Sequence, residues 1–166
     1  HSLEASGDKI LRPLADGRLG SEAAPYYGPI ALDGNLTGAL LREISTSALF
    51  SAADLRVAPA SPGKAERLLP LLQHPHATLY VNLEEAGLLC HETFETSRDG
   101  AAALIAKGAY RVLVTDGGHD ATLATGDTVI TQTPPPVMVA RVTGAGDTFM
   151  AAHIAAELSG SDNINA

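Results

Sequence analysis

An alternation constrains this chain most: short Val, Leu and Ile runs, each ending in a turn signal, are separated by alanine- and leucine-rich stretches with helical spacing. Ile30–Leu32 reads as a strand ending at Asp33-Gly34-Asn35, followed by a helix through about Phe50. Leu55–Val57 reads as a second strand that leads through the Pro59–Pro62 turn into a helix around Lys64–Gln73. Thr78–Val81 is a third, presenting Asn82 at its end, with Glu84 and Glu85 opening the next short helix. Ser97–Lys107 has helical character with Gly108 as its stop, and Tyr110–Thr115 is a buried strand that turns at Asp116-Gly117-Gly118. Ala121–Ala124 and Val129–Thr131 flank Thr125-Gly126-Asp127 as a hairpin, and Pro134-Pro135-Pro136 stiffly precedes an expected strand at Val137–Val142. Strands and helices in such alternation pack as an α/β sandwich with a mostly parallel sheet, and such sheets gather binding groups beyond the carboxyl ends of their strands. Residues 1–28 are mixed. There Gly7-Asp8 and Asp16-Gly17 bracket Ile10-Leu11 like the remnant of a hairpin, and Pro25–Pro29 reads as a connector.

Thr143-Gly144-Ala145-Gly146-Asp147-Thr148-Phe149 carries the densest chemistry. Glycines around a single methyl group let successive backbone N–H groups converge on an anion. The alanine-rich run from Phe149 to Leu158 predicts a helix beginning near Asp147, with its positive end toward that anion. Asp147 can then accept a proton from a substrate hydroxyl. The same residues also suit an ordinary turn with an Asp N-cap. Asn82 and Glu85 equally suit a capping box, and Gly117-Gly118 a plain turn.

With 166 residues, 45% of them hydrophobic, the chain can bury one core; with three Phe, four Tyr and no Trp, that core must be aliphatic and alanine-packed. A formal charge of −8 argues against a nucleic-acid polymer or an anionic membrane surface as partner. No apolar run approaches the roughly 20 residues of a membrane span. Cys90 is the single cysteine; intramolecular disulfides are excluded, and a reducing, cytoplasmic setting is expected. Its neighbours Leu88 and Leu89 predict a buried thiol. His74-Pro75-His76 reads as an exposed turn rather than a zinc site, and His119 and His153 lack metal-ligand spacing.

Val142–Ala152, VTGAGDTFMAA, resembles the C-terminal signature of the ribokinase-like (PfkB) carbohydrate and nucleoside kinases. In matching order upstream, Asn82-Leu83-Glu84-Glu85 resembles that family's N-x-x-E motif and Val114-Thr115-Asp116-Gly117 its nucleotide-binding turn. Asp33-Gly34-Asn35-Leu36 and Pro59–Ala65 look most similar to the pseudouridine kinase branch. The resemblance implies a three-layer α/β/α sandwich, here truncated at both ends, with residues 1–28 a lid remnant or connector and 29–166 a partial nucleotide-binding core. It implies an ATP-dependent kinase that phosphorylates a primary hydroxyl of a sugar or nucleoside, with pseudouridine the best single substrate.

Under that resemblance Asp147 is the catalytic base, and Gly144, Ala145 and Gly146 supply the anion hole. Thr115, Gly117, Gly118 and Thr143 line the nucleotide, Asn82 and Glu85 hold the water shell of Mg²⁺, and Asp33 and Asn35 join Asp147 at the acceptor. ATP and Mg²⁺ are the implied cofactors, with room for a monovalent cation and for a homodimer. The chain departs from the pattern at Arg141, Ala121 and Ala58. Two other readings stand beside the kinase: a nucleotide-binding fragment without transfer activity, and an assembly module.

Overall fold

The computed structural model describes residues 8–136 and 143–160. Among these residues six strands form one sheet in sequence order: β1 (Pro29–Asp33), β2 (Asp54–Ala58), β3 (Ala77–Asn82), β4 (Arg111–Thr115), β5 (Ala121–Thr125) and β6 (Val129–Gln132). β1 to β4 are parallel, and β5 and β6 turn back antiparallel as a meander. The helices are α1 (Asp8–Ala15), α2 (Gly38–Thr46), α3 (Leu83–Cys90), α4 (Ser97–Ala106) and α5 (Ala145–Leu158), with a single 3-10 turn at Ala48–Phe50 and a 3-10 helix at Pro62–Leu71.

Parallel neighbours need crossovers, and crossovers of one hand between strands added in one direction fall on one side of the sheet. α2, the 3-10 helix, α3 and α4 therefore share a face, where Leu41, Ile44, Leu55, Val57, Leu68, Leu79, Leu89, Leu104, Val112 and Val114 form an aliphatic core. The other face receives none of them. It is covered by α5, which reaches it after β6 and packs Met150 against Tyr80, Leu113 and Leu123.

The α/β reading and the mostly parallel sheet hold, with three local differences. The region read as a hairpin remnant contains helix α1 instead, whose Leu11 and Leu14 join the aliphatic core; a two-residue apolar run gave no sign of that periodicity. The segment after Pro62 is 3-10 rather than α, with Pro62 at its start and Pro70 inside it. His74 is buried rather than exposed, its Nε2 lying 3.1 Å from the Phe50 carbonyl oxygen. Cys90 is buried as expected. The strand expected at Val137–Val142, including Arg141, lies outside the described residues.

Candidate active-site cleft

The carboxyl ends of three adjacent parallel strands meet the start of α5 around a cleft of about 450 Å³. β2 contributes Ala58 and the Pro59–Pro62 turn, β3 contributes Asn82 followed by Glu85, and β4 contributes Thr115 followed by Gly117. Thr143–Asp147 and Phe149 close the opposite side. Asn82 and Thr115 are register partners in the β3–β4 pair, so the two motifs stand side by side although 33 residues separate them.

α5 begins two residues earlier than the sequence suggests, at Ala145, with Gly144 as its N-cap at φ +83°. An L residue other than glycine is strained there, so this glycine is fixed by the backbone. Among the described residues no side chain caps the helix, and the first N–H groups of an α-helix have no partner within it. The amides of Ala145, Gly146 and Asp147 are thus presented with the helix's positive end at the cleft. The Thr148 N–H turns back to the Gly144 carbonyl at 3.0 Å and its hydroxyl to the same oxygen at 2.8 Å. Asp147 sits in the first turn, exposed at the cleft rim.

Asn82 and Glu85 form the capping box that their spacing allows. The Glu85 N–H donates to Asn82 Oδ1 at 2.8 Å, and the Asn82 N–H donates to Glu85 Oε2 at 2.9 Å. Both still line the cleft. Burial pushes the Glu85 carboxyl upward, the Asn82 N–H opposes this, and neighbouring Glu84 adds to it. A carboxylate held at such a cost is a natural neighbour for a cation. Among the described residues no three His, Cys, Asp or Glu side chains converge on a metal position. The donor set therefore fits a Mg²⁺ held mainly by water and phosphate oxygens, with one carboxylate and one amide behind them, rather than a protein-built cage.

Not every predicted residue faces this space. Thr115, Gly117, Thr143, Gly144, Ala145, Gly146, Asp147, Asn82 and Glu85 all line it, whereas Gly118 lines a neighbouring depression with His119 and Asp120. Asp33 and Asn35 do not line it either. Asp33 Oδ1 accepts from the Asn35 N–H at 3.0 Å and Oδ2 from its amide at 2.7 Å, and Lys64 donates to Asn35 Oδ1. The turn packs against the cleft wall through its backbone: Gly34 N–H donates to the Ala58 carbonyl at 3.0 Å, and a Cβ on Gly34 would lie 2.1 Å from the Pro59 oxygen.

Sequence reasoning gave no site role to Tyr80, nor to Phe149, Ala60 and Ser61, although it singled out the stretches that hold the last three. Ala60 adopts φ +67°, an uncommon conformation for a residue with a Cβ. It also missed a polar cluster beneath α5. Glu157 accepts from Arg111 Nη1 at 2.6 Å and Nη2 at 3.1 Å, and from Arg56 Nη1. Arg56 also donates to Asp54 at 2.7 Å through two nitrogens and to the Tyr80 hydroxyl at 2.9 Å, and that hydroxyl meets His153 Nδ1 at 2.9 Å. Burial would raise the Glu157 carboxyl, but the two guanidiniums hold it below its ordinary range.

Comparison with known proteins matches the fold. A family model described as pfkB family carbohydrate kinase matches residues 19–166. A carbohydrate kinase from Agrobacterium tumefaciens superposes with TM-score 0.73 at 24% identity, covering 96% of this chain and 49% of its own. A point mutant of phosphofructokinase-2 from Escherichia coli gives 0.74 at 18% identity, covering 96% and 51%. Arabidopsis thaliana ribokinase, solved with ribose and ATP, gives 0.65 at 24% identity, covering 81% and 44%. The chain thus spans about half the length of these solved kinases. No curated protein matches it at a significant level.

Proposed function

This chain belongs to the pfkB family of carbohydrate kinases, and we propose that its cleft transfers the γ-phosphoryl group of ATP to a primary hydroxyl of a sugar or nucleoside. One observation carries the reading: the uncapped N-terminus of α5, with Asp147 in its first turn, faces the carboxyl ends of β3 and β4 across one cavity. Phosphoryl transfer asks the protein for positioning and charge stabilisation, and both are available from backbone and side chains already in place.

In this reading the Ala145, Gly146 and Asp147 N–H groups, with the dipole of α5, hold the phosphoryl oxygens as charge develops. Asp147, exposed at the rim, takes the proton from the acceptor hydroxyl as that oxygen attacks phosphorus. Thr115, Gly117 and Thr143 border the nucleotide, with Gly118 just outside. Glu85 and Asn82 would hold a hydrated Mg²⁺, which would supply neutralisation of phosphate charge. Asp33 and Asn35 support the acceptor wall through the Gly34 contact with Ala58 and Pro59, rather than by touching the acceptor. Their turn and the Pro59–Ala65 segment are the basis for naming pseudouridine as the first acceptor to try.

The test is ADP release from Mg-ATP with and without pseudouridine, ribose and other nucleosides, using this chain and Asp147→Asn. Acceptor-dependent release that Asp147→Asn lowers by about 10²–10⁴-fold, with ADP binding retained, supports the reading. ADP binding without release by the unsubstituted chain identifies a nucleotide-binding member that does not transfer. Undiminished turnover in Asp147→Asn removes that residue from the base role.

A further inference from the structure

α5 carries the anion-binding turn, yet its apolar hold on the sheet is narrow. Met150 and His153 are its buried residues, Phe149 and Ile154 are partly covered, and Leu158 is 67% exposed. A helix seated by so few apolar side chains could rotate or slide by a fraction of a turn at little cost. The polar cluster removes that freedom. Glu157, about 15 Å along the axis from Asp147, takes Arg56 from β2 and Arg111 from β4. Between them β3 supplies Thr78, which accepts from Arg111 Nε at 2.8 Å, and Tyr80, which bonds both Arg56 and His153. These three strands are the ones whose carboxyl ends build the cleft.

An exposed ion pair would add little, because solvent competes for both partners. Here the side chains of Arg56, Arg111 and Glu157 are 8%, 15% and 16% exposed, so any displacement of the helix strands a desolvated charge. We infer that Glu157, clamped by Arg56 and Arg111, is a positioning residue that fixes the placement of α5 along and about its axis. It thereby sets where Asp147 and the N–H groups of residues 145–147 stand over the cleft. The inference rests on reading that cleft as a phosphate site.

Glu157→Gln and Glu157→Asp test it, with Mg-ADP affinity by calorimetry and amide hydrogen exchange of the 143–150 segment as readouts. Glu157→Gln is expected to weaken Mg-ADP by about tenfold and to speed exchange at 143–150, at the far end of the helix, while β3 and β4 exchange as before. Glu157→Asp keeps the charge on a shorter arm, and should recover most of both. If Glu157→Gln does not fold, Glu157→Asp decides alone by a smaller shift in the same direction. Unaltered affinity and exchange at 143–150 in folded Glu157→Gln overturn the inference. So does faster exchange spread evenly through the sheet, or failure of both variants to fold, because the cluster would then serve stability alone. If the unsubstituted chain binds no Mg-ADP, the phosphate reading fails, while exchange at 143–150 still decides whether Glu157 positions the turn.

Discussion

The two faces of the sheet are built on different principles. The first is closed by α2, the 3-10 helix, α3 and α4 over an aliphatic core in which Leu41, Leu55, Leu79, Leu104 and Val112 are wholly buried. The second, under α5, pairs a small apolar group with a cluster of charges: Asp54, Arg56, Arg111 and Glu157 around Tyr80 and His153. Hydrophobic burial has no preferred direction and leaves the exact setting of the packed elements to shape alone. Desolvated hydrogen-bonded charges do not. The difference teaches where this molecule needs stability and where it needs geometry, since the turn proposed to bind an anion sits on the element held by charges.

The comparison breaks most visibly at Leu79. Leu79→Ala is expected to cost about 2–5 kcal/mol of unfolding free energy, read from the denaturant midpoint, with Mg-ADP affinity of the folded fraction unchanged. A loss of affinity without loss of stability would mean that the first face also tunes the site.

Two neighbouring glycines sharpen the contrast on the second face. Gly144→Ala forces a Cβ into φ +83° and is expected to cost about 1–2 kcal/mol, read by thermal unfolding. Gly146→Ala meets no protein atom within 4 Å and lies inside the helix. It should leave stability equal or higher by up to about 1 kcal/mol, while its methyl group crowds the anion and lowers Mg-ADP affinity. Equal ADP affinity in Gly146→Ala would move the phosphate away from this turn.

The smallest effect expected is in acid. Burial holds His153 below the ordinary imidazole value of 6.5; Glu157 opposes this, and Arg111 and Arg56 add to it. The unfolded chain therefore binds a proton more readily than the folded one, and stability is lost as pH falls from 6.5 through the lowered value. His74, which precedes β3 and is also lowered chiefly by burial, contributes with the same sign. Urea midpoints at about pH 7.5 and 5.5 should differ less in His153→Gln than in the unsubstituted chain. An equal difference would assign the acid sensitivity to His74 and the first face.

Much of the fold could be read from local pattern. Each of the strands expected between Ile30 and Thr131 is present, because buried parallel strands are short apolar runs bounded by turn residues, and that signal is local. The Asn82–Glu85 spacing and the Gly144–Asp147 turn were legible for the same reason, since caps and glycine turns are written within a few residues. α1 was not, since Pro13 and a sparse apolar pattern hide a helix that exists by packing Leu11 and Leu14 into the core. Nor could spacing say that Asp33 and Asn35 spend their side chains on each other and on Lys64.

The sequence by itself determined the strands between Ile30 and Thr131, most of the helices and the order of the motifs, because each depends on neighbours along the chain. Tertiary structure alone decided that Asn82, Thr115 and Gly144 share one cleft, and that Arg56, Arg111 and Glu157 meet beneath α5. Arg56 and Glu157 are 101 residues apart. No local pattern encodes such a pairing; it follows from strand order, from the face on which each crossover falls, and from the requirement that a charge removed from water find its partner.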